Sequence, residues 1–347
     1  MKKNYNNKID VIIPAYNVED NILSRCLSSI TCQDILSDLE ITIVDDASTE
    51  QNYAEVIKNF NSMVKINLLR YETNGGPGVA RQYGLDHTSN GYVTFIDADD
   101  TFNGAFALKA LRNGIETNNG LYQMCVGVFD EVHEEGIPAG EGPILLEHVQ
   151  DMVWMFGKLY RRSYIDKYNI RFHETSRANE DNGFNTICRL CSNEQEQINF
   201  IAAHVYYWHE NPNSITRHND CEYSYGGSER DSFYGYVENM IYAIKESKKR
   251  NPYNGFITMW AVSCMLHIYE YYIECVGRAP EHAANNFKQC KRYYDEIYKT
   301  LEKDISDEML ASHYNDTMRN AYMGNKLQGI IPCMNIYEFL DKLKEEK

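Results

Sequence analysis

Residues Thr73 to Asp100 read TNGGPGVARQYGLDHTSNGYVTFIDADD: a glycine-rich turn, a helix, an apolar strand and three aspartates, in that order. Val93, Phe95 and Ile96 make the strand apolar and deliver Asp97, Asp99 and Asp100 to its end. Three carboxylates crowded at a strand end repel one another unless they share a cation. Their oxygens suit a hard ion such as Mg²⁺ or Mn²⁺.

The same grammar recurs upstream. Ile9 to Ile13 is an apolar strand stopped by Pro14, and Pro14-Ala15-Tyr16-Asn17 follows it. Asp20 to Ile30 carries Ile22, Cys26, Leu27 and Ile30 at helical spacing. Ile41 to Val44 is a second strand, ending in Asp45-Asp46; a polar helix from Gln51 to Phe60 leads to a third, Ile66 to Leu69. After Gly75-Gly76-Pro77-Gly78 a helix opens at about Val79 and leads to the strand Tyr92 to Ile96. Strands alternating with helices predict an α/β fold with a mostly parallel sheet flanked by helices. Ligands of such sheets sit beyond the carboxyl ends of the strands. Pro14 to Asn17, Asp45-Asp46 and Asp97-Ala98-Asp99 therefore converge on one edge.

Beyond Asp100 the pattern turns mixed, with a helix near Ala105 to Glu116, a strand near Tyr122 to Val128 and a surface loop from Glu131 to Pro143. Asp151 to Arg161 and Arg177 to Leu190 read as a second half of the same domain. From about Ser224 long amphipathic segments begin, such as Phe233, Val237, Met240, Ile241 and Ile244. The expected organisation is one α/β domain over 1–220, with halves of 1–105 and 106–220, and a helical C-terminal region over 221–347.

The chain has 347 residues, 43% of them apolar, and a net charge of −16, which leaves no electrostatic footprint for duplex nucleic acid. The basic trio Lys248-Lys249-Arg250 suits the solvated end of a helix. No signal peptide is read in MKKNYNNKID, and His267, Glu270 and Glu274 interrupt the most apolar helix, so no integral membrane segment is expected. Ten scattered cysteines point to reduced thiols and a cytoplasmic location. Cys188 and Cys191 share a helix face and read as buried, inert thiols. Most of the 27 tyrosines are expected to pack helix faces or a subunit interface, which allows for a homo-oligomer through the C-terminal helices.

Taken in order, PAYN (14–17), VDDAS (44–48), NGGPGVARQYG (74–84) and FIDADD (95–100) resemble the nucleotide-sugar half of the inverting family 2 glycosyltransferases, which have the GT-A fold. FGKLYRRSYIDKYNIRF (156–172) and NEDNGFN (179–185) resemble that family's acceptor half, and YYWHENPNSIT (206–216) its closing strand. The resemblance runs from about Asp10 to Thr216. It implies a metal-dependent hexosyl- or N-acetylhexosaminyl-transferase that uses Mn²⁺ or Mg²⁺ and a UDP-sugar donor, with a glycan, polysaccharide or teichoic-acid-like acceptor. Pro14, Ala15, Tyr16 and Asn17 would hold the base, and one of Asp45 and Asp46 would accept from its imide; alternation puts those two neighbours on opposite faces. Asn74, Gly75, Arg81 and Ala98 would line the donor pocket, Asp97 would serve ribose and metal-bound water, and Asp99 would ligate the metal. Asp181 would be the catalytic base, with Glu180 beside it. His209 and His218 are the candidates for a third metal ligand, and Trp154 and His209 for the acceptor side. The family commonly carries Asn where this chain has Gln82.

Plainer roles compete at each site. Asp45, Asp46 and Ser48 are good helix caps, Asp100 or Thr101 suits a cap before the next helix, and acidic residues such as Glu180 and Asp181 favour a first helical turn. A nucleotidyltransferase is the alternative enzyme, but no Gly-rich loop with basic residues follows Pro14. A non-catalytic glycan-binding protein on the same fold is the alternative outside catalysis; such decay would normally cost an aspartate of the metal or base motif, and here all are present.

Overall fold

Alternation along β1 (Ile9–Ala15) decides how the sheet is covered. Ile9, Val11, Ile13 and Ala15 join one buried cluster with Leu23 and Leu27 of α1 (Asp20–Thr31) and Leu108 and Leu111 of α4 (Ala107–Glu116). Ile12 points the other way, toward α3 (Pro77–Asp86). Gly84 permits that contact, because a Cβ there would lie 2.6 Å from Ile12 Cγ2. Strands apolar on both faces are what a sheet covered on both sides requires.

The computed structural model describes residues 5–133, 143–175, 179–193, 196–210, 232–301, 305–306, 309–310, 327 and 329–346. The chain forms two compact units, Met1–Asn213 and Ser214–Lys347. The expected shift near Ser224, and His218, lie outside the described residues.

In the first unit, β1 is joined by β2 (Leu39–Asp45), β3 (Lys65–Arg70), β4 (Tyr92–Phe95), β5 (Thr101–Phe102), β6 (Tyr122–His133), β7 (Ile144–His148), β8 (Lys158–Arg161) and β9 (Gln197–His209). The order is β3-β2-β1-β4-β8-β6-β9-β5, with β7 on β6. The first four strands are parallel, Ala15 lying opposite Asp45 and Ile12 opposite Phe95. Beyond them the sheet is mixed: β8 runs antiparallel to β4 and β6, whereas β6 and β9 are parallel. The short α2 (Ala54–Lys58), then α5 (Arg162–Tyr168) and α6 (Glu180–Cys191), complete the unit. Under α6, Phe95, Phe172 and Phe184 pack with Tyr160, Phe172 and Phe184 stacked at 4.2 Å between centroids.

Two local expectations change. Pro14 does not stop β1 but sits inside it, opposite Val44; β4 has already ended its pairing with β1 at Ile12, so the missing donor falls near a strand end. Glu131 to His133 are not loop: they extend β6, pinned between β7 and β9. Residues 134–142 of the expected loop lie outside the described residues. Cys188 and Cys191 are both free and buried in α6, and burial pushes the Cys188 thiol up.

The second unit is helical: α7 (Ser232–Arg250), α8 (Phe256–Arg278), α9 (Ala283–Leu301) and α10 (Ile336–Glu345). Aromatic rings fill it, Phe233 stacking on Tyr271 at 3.6 Å and Tyr272 on Phe339 at 5.2 Å. Asn335 and Glu338 form a reciprocal cap on α10. Among the described residues no helix is long and apolar enough to cross a membrane.

Candidate active site

Three strand ends lie side by side. Asp46 N–H donates to Ala15 O at 2.8 Å, and Ile96 N–H to Ile12 O at 3.2 Å. Pro14, Ala15 and Tyr16 lead off this edge, with Tyr16 46% exposed. Asn17 follows in a left-handed conformation (φ 50°). Its Oδ1 accepts from Thr49 N–H at 2.8 Å and Glu50 N–H at 3.0 Å, so its side chain ties the first loop to the second.

Asp45 and Asp46 are both buried, and they diverge. Asp45 accepts from Ser48 N–H at 2.8 Å and pairs with Arg70 on β3. Asp46 turns to the glycine turn, accepting from Gly75 N–H at 2.7 Å and Gly76 N–H at 2.8 Å, while Asn74 Nδ2 donates to the Asp46 carbonyl at 3.2 Å. Gly76 needs its φ of 87°, which lets the chain turn into Pro77 at the head of α3.

Arg81, buried on α3, joins the two halves of the site. Nη2 donates to Asp97 Oδ1 and Nη1 to Glu180 Oε1, each at 2.6 Å. Burial alone would lower its pKa, yet the charges of Asp97, Glu180 and Asp181 hold it above its ordinary value. Gly78 makes the approach of α6 possible: a Cβ there would stand 2.6 Å from Glu180 Cγ. Gln82, the departure from the family pattern, lies away from this fork. It bonds Asp86 at 2.9 Å and accepts from Phe172 N–H at 2.9 Å.

Asp181 follows Glu180 in the first turn of α6 and is buried. Its carboxyl is pushed up to about 7, chiefly by burial and then by the Glu180 charge, against the opposing pull of Arg81 and the Asn182 N–H. A carboxylate tuned near neutrality suits proton abstraction.

Asp100 is not a helix cap. Thr101–Phe102 forms β5, antiparallel to β9, and Asp100 is buried against that strand. Tyr206 Oη donates to Asp100 Oδ2 at 2.7 Å and His209 N–H to Oδ1 at 2.9 Å. Burial, with Asp99 and Asp97 adding, raises its pKa well above the carboxylate range. α1 and the residue just past its end clamp this loop: Arg25 donates to Asp99 O at 2.6 Å, Ser29 Oγ accepts from Phe102 N–H at 3.1 Å, and Gln33 Nε2, beyond the helix, donates to Gly104 O at 2.7 Å. Arg25 and Ser29 stand one helical turn apart on α1.

His209 Nε2 lies 2.9 Å from Thr101 Oγ1, and burial followed by the Arg25 charge lowers its pKa to about 4, leaving a neutral imidazole. Trp154 is 38% exposed, its ring stacked over Phe156 at 5.9 Å.

Among the described residues no three His, Cys, Asp or Glu side chains form a cage for a metal ion. Mg²⁺ needs no such cage, being held by one or two carboxylates, waters and substrate phosphates. With Asp100 occupied by β9, Asp97 and half-buried Asp99 are the pair that fits this mode.

Reasoning from sequence missed Tyr206, Arg70 and the α1 clamp. Tyr206 stood in the sequence only within the YYWHENPNSIT stretch that resembles the family's closing strand; the Arg70 and α1 contacts join residues distant in sequence, and no local pattern marks them.

Residues 10–174 match the family model described as glycosyl transferase family 2. The uncharacterized glycosyltransferase EpsJ of Bacillus subtilis (strain 168) is 27% identical over 224 residues, 60% of this chain and 62% of that protein. The poly(ribitol-phosphate) beta-glucosyltransferase of Bacillus spizizenii is 28% identical over 250 residues, 69% of this chain and 37% of that one. The chain thus spans less than two thirds of these curated relatives. The crystal structure of S. aureus TarS 1-349 in complex with UDP-GlcNAc superposes with a TM-score of 0.62 at 18% identity, covering 92% of each chain, a likeness of fold.

Proposed function

We propose, from the match of residues 10–174 to the family model described as glycosyl transferase family 2, that the chain is an inverting GT-A glycosyltransferase. It moves a hexose or N-acetylhexosamine from UDP to a hydroxyl of a glycan, polysaccharide or teichoic-acid-like polymer. The observation that carries this reading is the buried carboxyl of Asp181 at the head of α6, beside Glu180, whose ion pair with Arg81 joins that helix to Asp97. The UDP-GlcNAc in the TarS structure supports the donor class, and the name of the B. spizizenii relative supports a polyol-phosphate acceptor.

The residues divide the work. Pro14, Ala15, Tyr16, Asn17 and one of Asp45 and Asp46 hold uracil, while Asn74, Gly75 and Ala98 line the donor pocket and Asp97 meets the ribose. Asp181 takes the proton of the acceptor hydroxyl. The acceptor oxygen then bonds to the anomeric carbon on the face opposite UDP, and the old carbon–oxygen bond breaks with its electron pair leaving on the diphosphate. A positioned base typically contributes about 10²–10⁴-fold. Mg²⁺ or Mn²⁺, held by Asp99 and Asp97, would neutralise the charge on that leaving diphosphate. Arg81 holds Asp97 and the head of α6 in one frame.

The test is UDP release by the purified chain with a divalent cation, a panel of UDP-sugars and a ribitol-phosphate oligomer. Turnover with at least one donor is expected. Neither turnover nor donor binding across the panel would overturn the reading.

A further inference from the structure

The loop from Asp151 to Phe156 is exposed at its tip and locked at its base. Asp151 Oδ1 accepts from Val153 N–H at 3.1 Å, from Trp154 N–H at 2.9 Å and from Lys158 Nζ at 3.3 Å. Lys158 has no exposed surface and also donates to Phe156 O at 3.2 Å. Asn185, equally buried, donates through Nδ2 to the carbonyls of Val153 at 3.1 Å and Trp154 at 2.9 Å, and accepts from Tyr160 Oη at 2.7 Å. Burying an amide and an ammonium is costly unless every bond is made. Here both are given over to holding a surface loop in one shape.

That shape presents apolar rings. Trp154 and Val153 are each 38% exposed. Trp154 stacks on Phe156, and Phe156 on Tyr206 at 5.0 Å; the Tyr206 hydroxyl ends on Asp100. A rigid indole backed by an aromatic ladder suits the C–H face of a sugar ring or polyol. Position matters as much as chemistry. Asn185 lies four residues after Asp181 on α6, so the two share a face about 6 Å apart. The base of the loop is thereby tied to the helix face that carries Asp181.

We propose that Trp154 and Val153 form an acceptor subsite for a sugar or polyol unit, and that Asn185, with Lys158 and Asp151, is the positioning residue that ties this subsite to the helix bearing Asp181. This rests on the glycosyltransferase reading above. Asn185 touches no substrate; it sets the register between the unit stacked on Trp154 and the hydroxyl facing Asp181.

The experiment compares Trp154→Ala, Trp154→Phe and Asn185→Ala with the unaltered chain, by kinetics at varied ribitol-phosphate oligomer and by calorimetric binding of the same oligomer. Trp154→Ala is expected to raise the acceptor KM and the oligomer Kd about tenfold, with the donor KM moving less than twofold. Trp154→Phe recovers most of that loss, a rescue that a merely structural defect would not show. Asn185→Ala is expected to raise the acceptor KM and lower kcat together. An acceptor KM and Kd within twofold of the unaltered chain for Trp154→Ala would overturn the subsite. Because calorimetry needs no turnover, that outcome is distinct from failure of the donor panel, which would instead remove the function itself.

Discussion

Arg81 donates to Glu180 at 2.6 Å across 99 positions of sequence, joining the helix after the glycine turn to the helix that begins with the proposed base. The same guanidinium holds Asp97 at 2.6 Å. One buried cation thus bridges the Asp97 and Glu180 carboxylates. Replacing Arg81 with Ala leaves two carboxylates without it, at a cost of about 3–5 kcal/mol. Arg81→Lys supplies charge without the two-pronged fork and is expected to fall between. Thermal unfolding checks this; an Arg81→Ala melting temperature equal to that of the unaltered chain would contradict the bridge.

Gly78 tests the same junction by steric means. A methyl group there meets Glu180 Cγ at 2.6 Å, so the buried Glu180 side chain or one of the two helices must shift. Gly78→Ala is expected to lower transfer at least about tenfold, since small misplacements of reacting groups are costly. Activity within twofold would show that α3 and α6 yield freely.

The acid cluster divides cleanly. Asp100 is buried on Tyr206 and the His209 amide, and burial pushes its pKa up, so Asp100→Asn is expected to retain activity within a few-fold. Asp99→Asn removes a proposed metal ligand and is expected to lose about 100-fold or more. Steady-state turnover of both variants at saturating Mn²⁺ decides the matter; the reverse ranking would reassign the ligand.

Activity should depend on pH through Asp181. Its carboxyl is pushed up to about 7 from an ordinary 3.8, by burial first and the Glu180 charge next. The unprotonated form is the proposed base, so kcat/KM is expected to rise as pH climbs through about 7 and to level above it. Stability runs the other way. As pH rises from about 4 to 7 the unfolded chain loses this proton before the folded chain does, so folding weakens across that window and is flat above it. Asp181→Asn removes that penalty and is expected to raise stability at pH 8 by a few kcal/mol at most, and hardly at all at pH 4. Urea unfolding at the two pH values measures the difference.

The strand ends were legible because apolar runs halting at aspartates need no knowledge of partners: Val93 to Asp100 and Ile41 to Asp46 each announce a buried strand and what stands at its mouth. The head of α6, where Glu180 and Asp181 are buried, was marked in the sequence only by resemblance to the family. What stayed hidden was pairing at long range. Asp100 followed by Thr101 looks like a cap until β9, more than a hundred residues later, arrives to pair with it. Pro14 looked like a terminus because proline lacks a ladder donor; it is tolerated inside β1 because β4 pairs only as far as Ile12, which no local pattern records. The divergence of Asp45 toward Arg70 and Asp46 toward Gly75 and Gly76 follows strand alternation, but the partners came from β3 and the next loop.

Asp181 is proposed as the base of sugar transfer from a UDP donor. The most direct measurement is UDP binding and sugar transfer by Asp181→Asn, side by side with the unaltered chain. UDP affinity within about threefold, with transfer lower by about 10²–10⁴-fold, is the expected result. Undiminished transfer by Asp181→Asn would contradict it.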